Sequence, residues 1–307
     1  MVIYLTFDLG ATTLKGGLFN TSSNLIFEAN RSSRNVNSVD ELVDIIEDLA
    51  QEMLECQNQD KNNVIGLGIG VPGFVPLKGD RIPQLVNMGL ENVPLKFKLE
   101  QKFNAHVLVE NDANAAAWGE HKAGASQGTR DNLLITLGTG VGSGVIVNEA
   151  IHRGNLGLTG EIGHILVRPI DGKLCNCGKV GCLETECSGV AIESKAKALY
   201  DEHQLTAREV FNRADNGDET AKRVIQEASY YLAWGISHAL HVLEFEVVVL
   251  GGGISRGGNL LLQPVRAYLE DFMGDCPEFP TEKVLVSKLG NKVALHGLYY
   301  LIYEKIN

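Results

Sequence analysis

The sequence predicts an α/β protein built from two similar halves. Three observations point there. Short apolar, β-rich runs alternate along the chain with segments of helical spacing. The 34 glycines fall mostly where those runs end. FDLGATTLKGGLF and ITLGTGVGSGVIV both read as strand, Gly/Thr-rich turn, strand, which suggests two related halves facing one another. A length of 307 residues is enough for two domains, each with its own core.

The elements follow in order. VIYLTF is a short apolar strand that runs into DLGATTLKGG (8–17), and GLF follows as its hairpin partner. Ser38 and Glu41 have the spacing of a capping box. Behind them Leu42, Ile45, Ile46, Leu49, Met53 and Leu54 keep helical period, so 39–56 is an amphipathic helix. VIGLGIGVPG (64–73) and HVLVEND (106–112) read as buried strands, and DANAAAWGEHKAG as a helix starting at Asp112. LLITLGTGVGSGVIVN (133–148) is two strands around a glycine turn. Helical spacing covers 188–200 and 218–244, EVVVLGGGIS (246–255) is a strand running into glycines, and VALHGLYYLIYEKI is a final amphipathic helix.

Composition narrows the function. A net charge of −11, with 38 acidic against 27 basic residues, argues against nucleic acid, which rewards clustered Lys and Arg. No apolar run is long enough to span a membrane, and MVIYLTFDLG has neither a basic n-region nor a cleavage site, so a cytoplasmic protein is expected. Of the six cysteines, Cys56 and Cys276 stand alone while Cys175, Cys177, Cys182 and Cys187 cluster. In a reducing compartment such clustering points to metal or redox chemistry rather than a disulfide framework.

Three glycine-rich turns at strand ends have the character of phosphate cradles, holding Gly10, Gly138 with Gly140, and Gly251 to Gly253. Glycine admits positive φ and brings backbone N–H groups close to a ligand. Thr12, Thr13 and Thr139 add hydroxyls, Lys15 adds a positive charge, and Asp8 suits a hydrated magnesium. Simple tight turns are the alternative; neither a Walker A nor a Rossmann fingerprint is present. Asp112, at a strand end and a helix start, is placed either to accept a proton from a substrate hydroxyl or to cap the helix, and the two roles are compatible.

His164, Cys175, Cys177 and Cys182 form a Cys₃His set suited to tetrahedral zinc, with Gly178 and Gly181 where the chain must bend around an ion. Four protein ligands fill the shell, so the ion is expected to be structural. The redox alternative lacks a C-x-x-C motif.

LGTGVGSGV, HRG and GEIGH in succession, CNCGKVGCLE, and DLGATTLKGG, GIGVPG, ENDANAAA and VVVLGGGIS in this order resemble the ROK family (repressor, open reading frame, kinase) over essentially the whole chain. Within it, ENDANAAAWGE, KAGA and CNCGKVGCLET are most similar to the bacterial glucokinase branch. The resemblance implies an actin-like (ribonuclease H-like) two-domain fold with ATP and sugar in the cleft between domains. It implies ATP-dependent phosphorylation of a hexose, glucose first. Kinases of N-acetylmannosamine, N-acetylglucosamine, fructose or allose are the near alternatives, and a non-catalytic sugar-sensing regulator the distant one.

It implies further that Thr12, Thr13 and Lys15 meet the ATP phosphates, that Gly138, Thr139 and Gly140 form a second phosphate loop, and that Gly251, Gly252 and Gly253 lie near adenosine. Asp112 is then the general base, and Asn111, Glu161, His164 and Glu184 hold other sugar hydroxyls, with Gly73 and Asn87 at the edge. His164 has two roles, one ring nitrogen on zinc and the other toward the sugar. Such kinases are commonly homodimers. Two departures stand out: Ala11 replaces a common glycine, and Leu90 stands where relatives often have tryptophan. Repressors of the family carry an N-terminal DNA-binding domain, for which a first strand at residue 2 leaves no room. By analogy the domains are 1–115 with 293–307, and 116–292 carrying the zinc loop.

Overall fold

The computed structural model describes residues 1–77, 81–85, 88–274 and 281–307. The chain divides into two compact units, one of residues 1–124, 151–159 and 292–307, the other of 125–150 and 160–291. The division differs from the expected 115/116 boundary. The helix opened by Asp112 stays whole within the first unit, and the segment 151–159 joins it.

The first unit is laid out on β1 (Ile3–Leu9), β2 (Thr13–Asn20), β3 (Leu25–Ser32), β4 (Val64–Val71) and β7 (His106–Asn111), in the sheet order β3-β2-β1-β4-β7. β1, β2 and β3 form an antiparallel meander, while β4 and β7 run parallel to β1. Between β4 and β7 lie β5 (Ile82–Leu85) and β6 (Leu90–Val93), a separate hairpin in which Leu85 pairs with Leu90.

Helix α1 (Val39–Cys56) buries Leu42, Ile46, Leu49, Met53 and Leu54 as its spacing requires. The Ser38 hydroxyl accepts from Glu41 N at 3.2 Å, but the Glu41 carboxylate reaches Asn37 N at 2.8 Å, one residue short of a closed capping box. Helix α2 (Leu95–Phe103) buries Leu95, Leu99 and Phe103. α3 (Asp112–Ala123) packs on the terminal helix, Val293–Ile306, with almost no side chain between the backbones. A Cβ at Gly297 would collide with the Ala115 carbonyl, and one at Gly119 with that of Val293. The other side of the terminal helix buries Leu295, Tyr299 and Ile302 against Tyr4 and Phe19 of the sheet.

The second unit repeats the plan. β8 (Asn132–Leu137), β9 (Val141–Val147), β10 (Ala150–Ile151), β11 (Val247–Gly251) and β12 (Val284–Val286) lie in the order β10-β9-β8-β11-β12. β8 and β9 are an antiparallel hairpin, and β11 and β12 continue parallel to β8. The echo between the two glycine-turned hairpins is therefore a repeat of sheet topology, with β1 and β8 in equivalent places. The helices are α4 (Glu184–Cys187), α5 (Gly189–Tyr200), α6 (Ala207–Asp215), α7 (Glu219–Val242) and α8 (Asn259–Met273). No helix among the described residues is long and apolar enough to cross a membrane.

Because α3 and the terminal helix meet backbone to backbone, Gly297→Ala forces them apart. Overpacking of this kind costs about 1–3 kcal/mol. Urea unfolding should give a lower midpoint with an unchanged slope; a midpoint equal to wild type would show that the helices separate freely.

Candidate functional site

In the first unit, the β1–β2 hairpin carries Asp8, Gly10, Thr12, Thr13 and Lys15. Asp8 and Lys15 are direct cross-strand partners, and Lys15 Nζ lies 3.0 Å from Asp8 Oδ2. The lysine charge is thus met within the hairpin. Gly10 N donates to Thr13 O at 2.9 Å, closing the turn, and the hydroxyls of Thr12 and Thr13 lie 3.5 Å apart. Ser33 holds the turn from outside, its Oγ donating to Gly10 O at 3.1 Å and its N to Thr12 O at 3.1 Å. Sequence reading missed this serine, which lies just past β3 in a stretch with no apolar period.

The junction of β7 with α3 separates the two roles open to Asp112. Asn111 is the cap, its Oδ1 accepting from Asn114 N at 2.9 Å. Its Nδ2 donates to Gly73 O at 3.0 Å, which ties the GVPG turn to the same point. Gly73 takes φ +86°, the left-handed region that glycine tolerates. Asp112 is the first residue of the helix, half-buried, with Oδ1 accepting from Ala113 N at 2.9 Å. A negative charge is favoured at this position by the helix N-terminus. Asn87 lies outside the described residues.

Beneath the junction sits a residue that sequence reading passed over. Glu110 is 5% exposed and forms an ion pair with Arg153. Its only sequence signal is a charged residue near the end of an apolar strand.

In the second unit, the turn between β8 and β9 holds Gly138, Thr139 and Gly140. Gly138 N donates to Gly140 O at 3.0 Å, and Gly138 O accepts from Gly189 N at 2.8 Å, at the start of α5. Gly251 ends β11, the parallel neighbour of β8, and Gly252 and Gly253 follow it, so both glycine turns leave the carboxyl end of one sheet. Such strand ends are where open α/β sheets bind ligands. Gly252 has φ +81°, and a Cβ there would collide with the Leu137 carbonyl. The two turns are therefore in direct contact.

The metal-type cluster is brought together as its spacing predicted. Ligand atoms of His164, Cys175, Cys177 and Cys182 all lie within 4.8 Å of one another. His164 Nδ1 faces Cys175 Sγ at 3.6 Å, while Nε2 lies 3.9 Å from Glu161 Oε2. The two ring nitrogens thus address two different partners. A tight turn carries the cysteines, with Cys175 N donating to Lys179 O at 2.8 Å and Gly178 N to Cys175 O at 2.9 Å. Gly178 and Gly181 take φ of +86° and +77° at the bends. Three thiols and an imidazole are a soft donor set of tetrahedral type, and they fit zinc.

Glu184, at the start of α4, joins the cluster to the glycine turn. Its Oε2 accepts from Val141 N at 2.9 Å, and its Oε1 lies 3.6 Å from Cys175 Sγ. A Cβ at Gly140 would meet the end of this carboxylate, so a larger residue there would push Glu184 away from Val141 N. Glu161 begins the short turn 161–164, which Ser143 anchors by donating to Gly160 O.

Burial pushes the Cys182 thiol up to about 12, and the nearby thiols of Cys177 and Cys175 add to it. Burial likewise raises Cys175. For Cys177 burial acts upward too, but the Lys179 N–H and the neighbouring thiols outweigh it, leaving the thiol below its ordinary value.

The chain matches the ROK family over residues 4–305. It is 36% identical to a glucokinase of Halalkalibacterium halodurans, over 99% of this chain and 96% of that one. Among solved structures it resembles a ROK family glucokinase from Streptomyces griseus in complex with glucose and AMPPNP. That match has a TM-score of 0.85 and 31% identity over 98% of this chain and 99% of that one. A ROK hexokinase from Thermus thermophilus gives a TM-score of 0.81 and 28% identity, covering 99% of each chain.

The thiolate is the nucleophile in alkylation. In protein stripped of bound metal, iodoacetamide near neutral pH should therefore modify Cys177 well before Cys175 and Cys182, as read by peptide mass spectrometry. Equal rates at the three would contradict this ordering.

Proposed function

The chain belongs to the ROK family, and from that membership we propose that it is a glucokinase, transferring the γ-phosphoryl group of ATP to the C6 hydroxyl of glucose. Its fold is the actin-like, two-domain α/β fold of ROK sugar kinases. The observation that carries the proposal is the β7–α3 junction. Asn111 takes the capping role, which supports reading Asp112 beside it as the general base. Relatives named as glucokinases, aligned over nearly the whole of both chains, support glucose as the acceptor.

In this mechanism Asp112 accepts the proton of the sugar hydroxyl as its oxygen attacks in line. Phosphoryl transfer demands little covalent chemistry from the protein, so positioning and charge stabilisation carry most of the acceleration. Backbone N–H groups of the turns at Gly10 and at Gly138 to Gly140 offset charge on the phosphates, with the hydroxyls of Thr12, Thr13 and Thr139. Lys15 joins them by exchanging its Asp8 partner for phosphate oxygen. Gly251 to Gly253 leave room for adenosine. Asn111, Glu161, His164 and Glu184 hold the remaining sugar hydroxyls, with Gly73 and Asn87 at the rim. Asp8 offers the hard oxygen that hydrated magnesium prefers, and magnesium would supply neutralisation of phosphate charge.

Zinc on His164, Cys175, Cys177 and Cys182 would be structural, since the four protein donors complete a tetrahedral shell. His164 then presents Nε2 and Glu161 in one direction while Nδ1 faces the thiols. The protein is proposed to act in the cytoplasm as a homodimer, without nucleic-acid or membrane partners.

Asp112→Asn should leave sugar affinity nearly intact and lower turnover on the order of 10²–10⁴-fold, the contribution of general base catalysis. Near-normal turnover would remove Asp112 from the role. In a coupled ADP-release assay across glucose, N-acetylmannosamine, N-acetylglucosamine, fructose and allose, glucose should show the highest kcat/KM. A different preferred sugar would reassign the substrate, and no ADP release alongside measurable sugar binding would point to a regulator. Cys177→Ser should abolish zinc in metal analysis and weaken sugar binding, although no cysteine touches the sugar. Full sugar affinity without zinc would reduce the ion to a staple.

A further inference from the structure

On the premise that Asp112 is the base, we propose that the ion pair between buried Glu110 and half-buried Arg153 is the element that positions it, and that Arg153 is a positioning residue for the phosphoryl transfer. Glu110 immediately precedes the junction. Its Oε1 accepts from Asn111 N at 3.0 Å and from Asn114 Nδ2 at 3.2 Å, gripping the chain on both sides of Asp112. The amide of Asn114 is buried, and among the described residues its Oδ1 has no hydrogen-bond partner, so Glu110 sets its orientation. The Glu110 side chain is 7% exposed, and a carboxylate so buried needs a cationic partner to offset its lost hydration. Arg153 supplies it, donating from Nε at 3.0 Å and from Nη2 to Glu110 Oε2. The planar guanidinium suits this fork, which an ammonium cannot reproduce.

Without Arg153, the Glu110 carboxylate loses the donors that fix its Oε2 and is free to turn toward water. That rotation weakens its grip on Asn111 N, because a hydrogen bond depends on the alignment of donor and acceptor. The strand-to-helix bend then loosens, and the carboxylate of Asp112 moves with it. Arg153 lies far from Glu110 in sequence, in the segment 151–159 that joins the first unit, and the ion pair is one reason it does so.

The same region offers a direct test. A cavity of about 370 Å³ is lined by Val109, Glu110 and Arg153, with Arg81, Lys96 and Lys305 also on its wall. It leaves room for a small cation beside the Glu110 carboxylate once the guanidinium is deleted. Arg153→Ala should lower kcat about 10²-fold, the loss expected for a misplacement of roughly 1 Å, with a much smaller change in KM for the sugar. Guanidinium chloride, kept well below unfolding concentrations, should restore kcat saturably, while potassium chloride at equal ionic strength should not. Arg153→Lys should recover only part of the loss. In an Asp112→Asn background, Arg153→Ala should cost nothing more, because the residue acts through Asp112.

Wild-type kcat in Arg153→Ala overturns the proposal. So does a full additional loss in the Asp112→Asn background, or guanidinium that restores the melting temperature and leaves kcat low. Should Arg153→Ala fail to fold, the same comparison with Arg153→Lys and Glu110→Gln decides it: unchanged kcat in both overturns the proposal. Near-normal turnover in Asp112→Asn alone would instead sink the assignment of the base, a result separable from any of these.

Discussion

A carboxylate wholly or partly taken out of water needs donors, and in each unit one glutamate imposes that demand on the turn beside it. Glu110 meets it with Arg153, Asn114 and the N–H of Asn111, which holds the end of β7 and the start of α3 in one arrangement. Glu184 meets it with the N–H of Val141 and stands against Cys175, so the glycine turn and the cysteine loop share a single side chain. The glycines around these acids provide space. The acids supply the order that glycine-rich backbone cannot give itself.

Most of the regular structure was legible because it is written in local period. Helix α1 was bounded at 39–56 from its apolar spacing and its serine cap, and α5, α7 and the terminal helix were found from the same periodicity. The elements passed over carry weaker patterns. β3 has mixed burial, α6 is strongly polar with only Val210 and Phe211 as large apolar residues, and α8 contains Pro264. The division at 124/125 was hidden because it depends on α3 meeting the terminal helix, a contact between residues far apart in sequence.

The candidate site was legible to the same extent and for the same reason. Donor types and spacing announced the Cys₃His cluster, and strand ends announced the glycine turns. What sequence could not reveal were partners joined only in three dimensions: Glu110 with Arg153, Glu184 with Val141, Ser33 with Gly10, Ser143 with Gly160. Nor could it reveal that Asp8 and Lys15, read as separate tools for metal and phosphate, face each other across the hairpin. Asp112 illustrates the limit most clearly. A one-residue shift decides between cap and first helical residue, and propensity favours Asn and Asp almost equally as caps.

The terminal helix has a consequence for how the protein is made. Residues 293–306 cover the face of the first sheet that includes Tyr4 and Phe19, and Asn307 Nδ2 reaches Tyr4 Oη at 3.1 Å. During synthesis that apolar face stays open until residues 293–306 have left the ribosome. The second unit, 125–150 with 160–291, has its last residue in hand just before that helix begins. The half translated first is therefore the half completed last, and for most of translation its exposed sheet is the surface that a chaperone would find.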